Sequence, residues 1–136
     1  MLLTSWPSVT GSADEVAFAE RLKDFLAHFD GVWTESIPQD PRRNVLALKR
    51  GANRQTIVCT GHFDVVPVED YGALKALAFS AEALLPAIIE RLRKTGENPL
   101  ALEDFESGDY LPGRGLLDMK AGLADCRDHG DGGLWR

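Results

Sequence analysis

The 136-residue chain is long enough for one domain with its own hydrophobic core. Hydrophobic residues make up 44% of the chain and charged residues 26%, which is ordinary for a soluble globular protein. The formal net charge is -6, from 15 basic and 21 acidic residues. This balance argues against a general nucleic-acid binder and against a polybasic membrane-surface protein.

The two cysteines, Cys59 and Cys126, do not form the framework of a disulfide-rich domain, and no Cys-x-x-Cys pair indicates a thiolate zinc site. Because Cys59 lies in the apolar run 56–60, we expect it to be buried as a small hydrophobic side chain. No basic segment followed by a long apolar run begins the chain, so no signal peptide is expected. No stretch approaches the roughly 20 apolar residues of a membrane helix, and a cytoplasmic location is predicted.

The first predicted element is an amphipathic helix from about Ala13 to Phe29. Ser12 and Glu15 have the spacing of a capping box, and Gly31 is a suitable C-terminal stop. The residues of its apolar stripe recur at helical spacing: Phe18, Leu22, Phe25, Leu26 and Phe29.

Strands are predicted at 45–48 and 56–60, with a third, edge-like strand at 32–36. The run 56–60 is apolar and rich in β-branched residues, which favours a strand covered on both faces. Pro67 argues against a long continuation of this central strand. His62 and Asp64 are therefore expected just past its end, where ligands bind in α/β sheets.

A second helix is predicted within residues 81–94, with Ile88, Ile89 and Leu92 facing inward. Proline is tolerated best in a first helical turn, so Pro86 predicts a start near Leu85. Residues 95–114 are rich in glycine and proline and are predicted to form a long loop.

The last segment changes character after Ala124. Residues 115–124 are typical of a turn leading into a helix, whereas 125–136 lose apolar periodicity and carry glycine at 130, 132 and 133. We therefore expect residues 1–124 to form the N-terminal part of a domain. Residues 125–136 would be an atypical tail, out of frame after a truncation or disordered, with a natural flexible terminus as the alternative.

Three acidic or imidazole side chains are candidates for a metal site. In extended backbone His62 and Asp64 point the same way, so a zinc-bound imidazole could donate its other N–H to the carboxylate. A bare His-x-Asp is more often a strand-end histidine beside a solvated aspartate. The carboxylate of Asp118 could bridge two metal ions, and its structural alternative is a helix N-cap.

Together, the two segments resemble the metal-binding motifs of the M20 metallopeptidases, which are aminoacylase- and carboxypeptidase-like zinc hydrolases. The run 60–67, Thr-Gly-His-Phe-Asp-Val-Val-Pro, is similar to the first motif of that family. The run 113–122, Gly-Arg-Gly-Leu-Leu-Asp-Met-Lys-Ala-Gly, is similar to the second. The order and separation of the motifs also suit the family, as does the opening 7–11 before a helix. The resemblance extends to about Ala124.

The resemblance implies an α/β fold, a three-layer α/β/α zinc-peptidase-like catalytic domain with a mixed sheet, truncated at its C-terminal side. It implies that His62 is a ligand of one zinc ion, that Asp118 bridges two zinc ions, and that Asp64 supports the site in a catalytic position. Cobalt or manganese could replace zinc. The bond between Asp118 and Met119 would be a cis peptide. Substrates would be small peptides or N-acyl amino acids, and residues 68–110 resemble the arginine-utilization branch.

The resemblance also defines what this sequence lacks. The family takes its general base from a Glu-Glu pair after the second motif, and no glutamate follows Glu106. The remaining carboxylate and histidine ligands are absent too, and His129 is not assigned to a metal. We therefore predict an inactive, marginally stable fragment with exposed apolar surface. The alternative is a small non-catalytic α/β binding module in which His62 and Asp118 are structural; the oligomeric state is left open.

Overall fold

The computed structural model describes residues 2–130, with side chains up to Arg127, and combines helices with one small sheet. Its regular elements are α1 (Ala13–Phe25), β1 (Gly31–Ile37), β2 (Asp40–Leu48), α2 (Ala81–Thr95), α3 (Pro99–Ser107) and α4 (Ala121–Gly130). Short 3-10 helical turns cover Leu3–Ser5 and Glu69–Leu77, and a π-helical turn covers Leu116–Lys120. The predicted α/β class is confirmed at this level.

Helix α1 begins where the capping residues predict. The Ser12 hydroxyl accepts a hydrogen bond from the Glu15 N–H at 3.2 Å, which satisfies one of the unpaired amides of the first turn. The Glu15 carboxylate accepts from the N–H of Gly11 rather than of Ser12. The helix ends at Phe25 instead of Phe29, because Leu26 leaves the helical region with ψ near 6° and the chain continues in turns.

The cap at Ser12 gives a direct test of this assignment. We expect Ser12→Ala to lower the free energy of unfolding by about 1 kcal/mol, since the Glu15 N–H loses its acceptor. Ser80→Ala is the matched control, because Ser80 occupies the N-cap of α2 without a side-chain cap hydrogen bond. Urea denaturation of both variants measures the difference; equal losses would show that the hydroxyl of Ser12 does not act as a cap.

The sheet is an antiparallel hairpin of β1 and β2, with Gly31 opposite Leu48 and Trp33 opposite Leu46. Both predicted strands at 32–36 and 45–48 are therefore confirmed. The predicted strand at 56–60 is wrong, because no described strand lies beside it to pair with its backbone. Its Val58 is 80% exposed, and Cys59, which we expected to be buried, is exposed too. A mixed sheet does not form among residues 2–130, and the three-layer arrangement stays a prediction.

The second half of the chain is more helical than the sequence predicts. Helix α2 begins at Ala81, earlier than the start near Leu85, and accommodates Pro86 in its interior. Leu84 is fully buried. Three residues predicted to face inward are half-buried: Ile88, Ile89 and Leu92. Within the predicted loop 95–114, residues Pro99–Ser107 form α3, which Asn98 caps by accepting from the Ala101 N–H at 3.2 Å.

The core lies where α1 packs on the hairpin and on the N-terminal segment. Leu3, Phe18 and Leu22 are its buried centre, and Trp6 meets Phe18 edge-on at 5.6 Å between ring centroids. Many other apolar side chains stay in solvent, as expected, with Ile57 69% exposed. Within the described range, every helix is too short or too polar to cross the hydrocarbon core of a bilayer.

The predicted tail begins inside a helix. The backbone stays helical through residues 125–130 as part of α4, and residues 131–136 lie outside the described range. The proposed boundary at Ala124 remains a prediction.

Candidate functional site

The first motif is anchored to the N-terminal segment by its backbone. Val65 forms a parallel bridge with Val9, in which the Val65 N–H donates to the Ser8 carbonyl and the Thr10 N–H donates to the Val65 carbonyl, both at 2.9 Å. The Thr10 hydroxyl also donates to the Asp64 carboxylate at 2.9 Å. These bonds fix the position of the residues that follow His62.

The three predicted site residues come together at one point of the surface. The Nε2 atom of His62 lies 2.9 Å from Oδ1 of Asp118, although the two residues are 56 positions apart in the chain. The Nδ1 atom of His62 lies 3.0 Å from the Asp64 carbonyl oxygen and 3.3 Å from its carboxylate. Each ring nitrogen of His62 therefore faces an oxygen of a different motif.

These contacts are exposed, which limits what they add to stability. The side chain of His62 is 48% exposed and that of Asp118 is 84% exposed. The backbone carbonyl of Asp64, and then the Asp118 carboxylate, raise the pKa of His62 above its ordinary value, while partial burial acts in the opposite direction. Surface ion pairs of this kind contribute little to folding. The contact between His62 and Asp118 is therefore a minor contributor to the stability of the fold.

The second motif enters the site through a sharp turn. Gly115 has φ near +74°, and a Cβ atom at this position would overlap Cγ1 of Val65. The turn is closed by the Lys120 N–H, which donates to the Gly115 carbonyl at 2.9 Å. The peptide bond between Asp118 and Met119 is cis, as the family resemblance implies. Asp118 lies before the first residue of α4 and faces His62, so it is not the N-cap of that helix.

Lys120 is fully buried beneath the site. Its ammonium group donates to the Trp6 carbonyl at 2.6 Å and lies 4.7 Å from the ring centroid of Phe18 and 5.4 Å from that of Phe79. Burial lowers the pKa of Lys120 to about 8. A charge in such a place needs its hydrogen bond and its aromatic neighbours, because water no longer solvates it.

Arg114 builds one wall of the site. Its guanidinium pairs with the Asp70 carboxylate at 2.5 Å and lies 5.0 Å from the ring centroid of Tyr71. This pairing lowers the pKa of Asp70 and raises that of Arg114. The backbone N–H of Arg114 donates to the Ala78 carbonyl at 2.8 Å, so the wall is attached to the segment before α2.

An open cleft of about 240 Å³ lies between the two motifs. Both site motifs and the N-terminal segment contribute to its walls, through Thr10, His62, Asp64, Val65, Val66, Gly113, Arg114, Gly115, Leu117 and Asp118. Among the described residues, no group of three or more His, Cys, Asp or Glu side chains is arranged to hold a metal ion together. His129 lies beyond the described side chains.

Sequence reasoning found His62, Asp64 and Asp118 but missed three contributors. Thr10 is far from both motifs in the chain, and Asp70 lies just after the first motif but outside it, so neither was singled out as a site residue. Lys120 was part of the second motif, yet a lysine after a predicted turn is usually solvent-exposed. Only the packing of Trp6 and Phe18 around its side chain reveals its position.

Comparison with known proteins gives two curated relatives, both from Bacillus subtilis (strain 168). Uncharacterized protein YqjN is 41% identical over 130 residues, which cover 89% of this chain and 23% of YqjN. Protein RocB is 32% identical over 133 residues, which cover 90% of this chain and 23% of RocB. The chain therefore spans about a quarter of the length of these relatives. No family model and no solved structure matches it.

Proposed function

We propose that this chain carries the first two metal-binding motifs of an M20-type hydrolase that cleaves amide bonds of small peptides or N-acyl amino acids. One observation carries the proposal: His62 Nε2 and Asp118 Oδ1 meet at 2.9 Å in a cleft, while His62 Nδ1 faces Asp64. The motifs resemble those of the family, and both curated relatives align with nearly the whole chain. The three-layer α/β/α fold and the arginine-utilization branch are the finer parts of the proposal.

The donor chemistry fits a divalent metal such as zinc, with cobalt or manganese as alternatives. Imidazole nitrogen and carboxylate oxygen are both ordinary zinc ligands. The Asp64 carbonyl lies at hydrogen-bond distance from His62 Nδ1, which favours the tautomer with its proton on that nitrogen. His62 Nε2 would then present its lone pair on the side of Asp118, so these two residues are the proposed metal ligands.

The roles of the chain's own residues follow from their contacts. Asp64 would orient His62, and Thr10 in turn would hold the Asp64 carboxylate through its hydroxyl. A bound zinc ion would supply a Lewis acid and lower the pKa of a bound water. We assign the general base and the remaining ligands to sequence outside this chain, and we propose that the isolated chain does not hydrolyse amides.

A non-catalytic α/β module with a structural His62 and Asp118 is the competing hypothesis. It would predict that the contact between these side chains stabilises the fold. Their exposures of 48% and 84% argue against a large contribution, because water and salt screen such a pair. The two hypotheses therefore differ in whether losing the pair affects metal binding or stability.

Metal affinity of His62 variants tests the proposal. We expect His62→Gln to weaken binding of Co²⁺ to the full chain by about tenfold or more, because a ligand nitrogen is lost. His28→Gln is the matched control, since His28 is exposed and packs beside Phe29 at 4.7 Å between ring centroids. Titration followed by the absorption of Co²⁺ measures both, and the melting temperature of each variant is recorded in the absence of metal.

Equal Co²⁺ affinity in the His62 variant and the parent chain would reject the metal site. A lower melting temperature with unchanged affinity would support the structural module instead. The inactivity of the isolated chain is tested separately with N-acyl amino acids and dipeptides in the presence of Zn²⁺ or Co²⁺. Metal-dependent hydrolysis by the purified chain would overturn that part of the proposal.

A further inference from the structure

The segment before His62 meets helix α4 at a tight junction. A Cβ atom at Gly61 would lie 2.6 Å from Cε of Met119 and 2.9 Å from Cδ2 of Leu123, so these side chains press against the Gly61 backbone. Cys59 lies two residues before Gly61, and Cys126 lies one helical turn after Leu123. The packing at Gly61 therefore brings the only two cysteines of the chain to the same junction.

This junction places the segment of Cys59 against the helix of Cys126. In keeping with that placement, burial, and then the neighbouring Cys59 thiol, raise the pKa of Cys126 above its ordinary value. Cys59 is exposed and Cys126 is half-buried, and both are free thiols. An exposed thiol beside a second thiol has the arrangement of an attacking cysteine with a resolving partner.

We propose that Cys59 and Cys126 form a redox pair that a low-molecular-weight disulfide, such as oxidised glutathione, converts to an intramolecular disulfide. The thiolate of Cys59 attacks one sulfur of the reagent, forming a mixed disulfide and releasing one thiolate. The thiolate of Cys126 then attacks the Cys59 sulfur and releases the second. Two protein thiols are oxidised, one reagent disulfide is reduced to two thiols, and the two protein protons pass to these products or to solvent.

The inference is independent of the proposed function. The bond would join the segment that leads to His62 with the helix that follows Asp118, so oxidation would fix the distance between the two arms of the cleft. The sequence alone indicates no framework of permanent disulfides. A single reversible disulfide is a different feature, because it requires only that the fold bring two cysteines close together.

Equilibration of the full chain with mixtures of reduced and oxidised glutathione tests this pair. Samples are quenched with acid, their free thiols are alkylated, and intact masses are measured. After oxidation, we expect the intact mass of the native chain to fall by the mass of two hydrogen atoms and neither cysteine to be alkylated. We expect the oxidised product to remain a monomer. In Cys59→Ser and Cys126→Ser, we expect only the mixed glutathione disulfide on the remaining cysteine.

Repeating the titration in urea separates native contact from chance closure of the long loop. We expect the equilibrium constant for the intramolecular disulfide to be at least about tenfold larger in the native chain than in urea, because native packing raises the effective concentration of one thiol near the other. Equal constants under both conditions would overturn the proposal. So would mixed disulfides or intermolecular dimers as the main oxidised products of the native parent chain.

Discussion

Gly115→Ala is expected to lower the free energy of unfolding by about 3 kcal/mol, since it adds both backbone strain and overlap. The positive φ of +74° is unfavourable for any residue with a Cβ atom. The added methyl would also overlap Val65, which is only 4% exposed and whose backbone is fixed by two hydrogen bonds to the N-terminal segment. Neither the Gly115 turn nor the Val65 side chain can move freely, so the added methyl group would distort the turn. Urea denaturation measures the loss.

Gly108→Ala is the matched control for this substitution. Gly108 has a similar positive φ of +83°, but a Cβ atom there would meet nothing within 4 Å. We expect it to cost about 1 kcal/mol, from backbone strain alone. The difference between the two variants isolates the overlap with Val65. If both variants lost the same amount, the close approach of the second motif to the first would be refuted.

Lys120→Ala is expected to lower the free energy of unfolding by about 3 kcal/mol. The substitution leaves the Trp6 carbonyl without its donor and empties the space beside Phe18 and Phe79. Natural domains have only a small net stability, so a loss of this size would shift the urea midpoint strongly. Denaturation followed by tryptophan fluorescence is a suitable measurement, because the indole ring of Trp6 packs against Phe18 and Phe25 in the core.

Two variants separate the contributions at Lys120. Lys120→Met keeps most of the side-chain volume and removes the cost of a buried charge, so we expect it to lose only about 1 kcal/mol, mainly from the hydrogen bond. Lys94→Ala is the surface control, because the Lys94 side chain is 75% exposed and forms an ion pair with Glu90 on the same helix. A Lys120→Ala variant no less stable than Lys94→Ala would contradict the buried position of this ammonium group.

The helices and the hairpin could be predicted where capping residues or apolar spacing within the segment itself indicate them. The Ser12 cap and the apolar spacing predict α1, and the end of α1 was missed because Leu26 and Phe29 continue the apolar pattern beyond the turn. Pro86 argues for a late start of α2, yet α2 begins at Ala81. A proline removes one backbone donor, and burial of Leu84 on the same helix can offset that loss.

The run 56–60 shows where local pattern fails. Its apolar, β-branched sequence is typical of a central strand, but a strand needs neighbours to pair with its backbone. Among residues 2–130 the parallel contact of this region is limited to Val65 with Val9. The exposure of Ile57 and Val58 therefore follows from missing partners rather than from a wrong propensity.

The sequence by itself determined which side chains are candidates for metal-site chemistry and where the chain turns. His62, Asp64 and Asp118 stand out by residue type and motif, because imidazole and carboxylate chemistry is a property of each residue. Tertiary structure alone decided which distant groups surround them. Thr10 donates to Asp64, Lys120 donates to the Trp6 carbonyl, and Gly61 packs against Met119 and Leu123. Such contacts depend on how separate segments pack against each other, and spacing along the chain does not encode that packing.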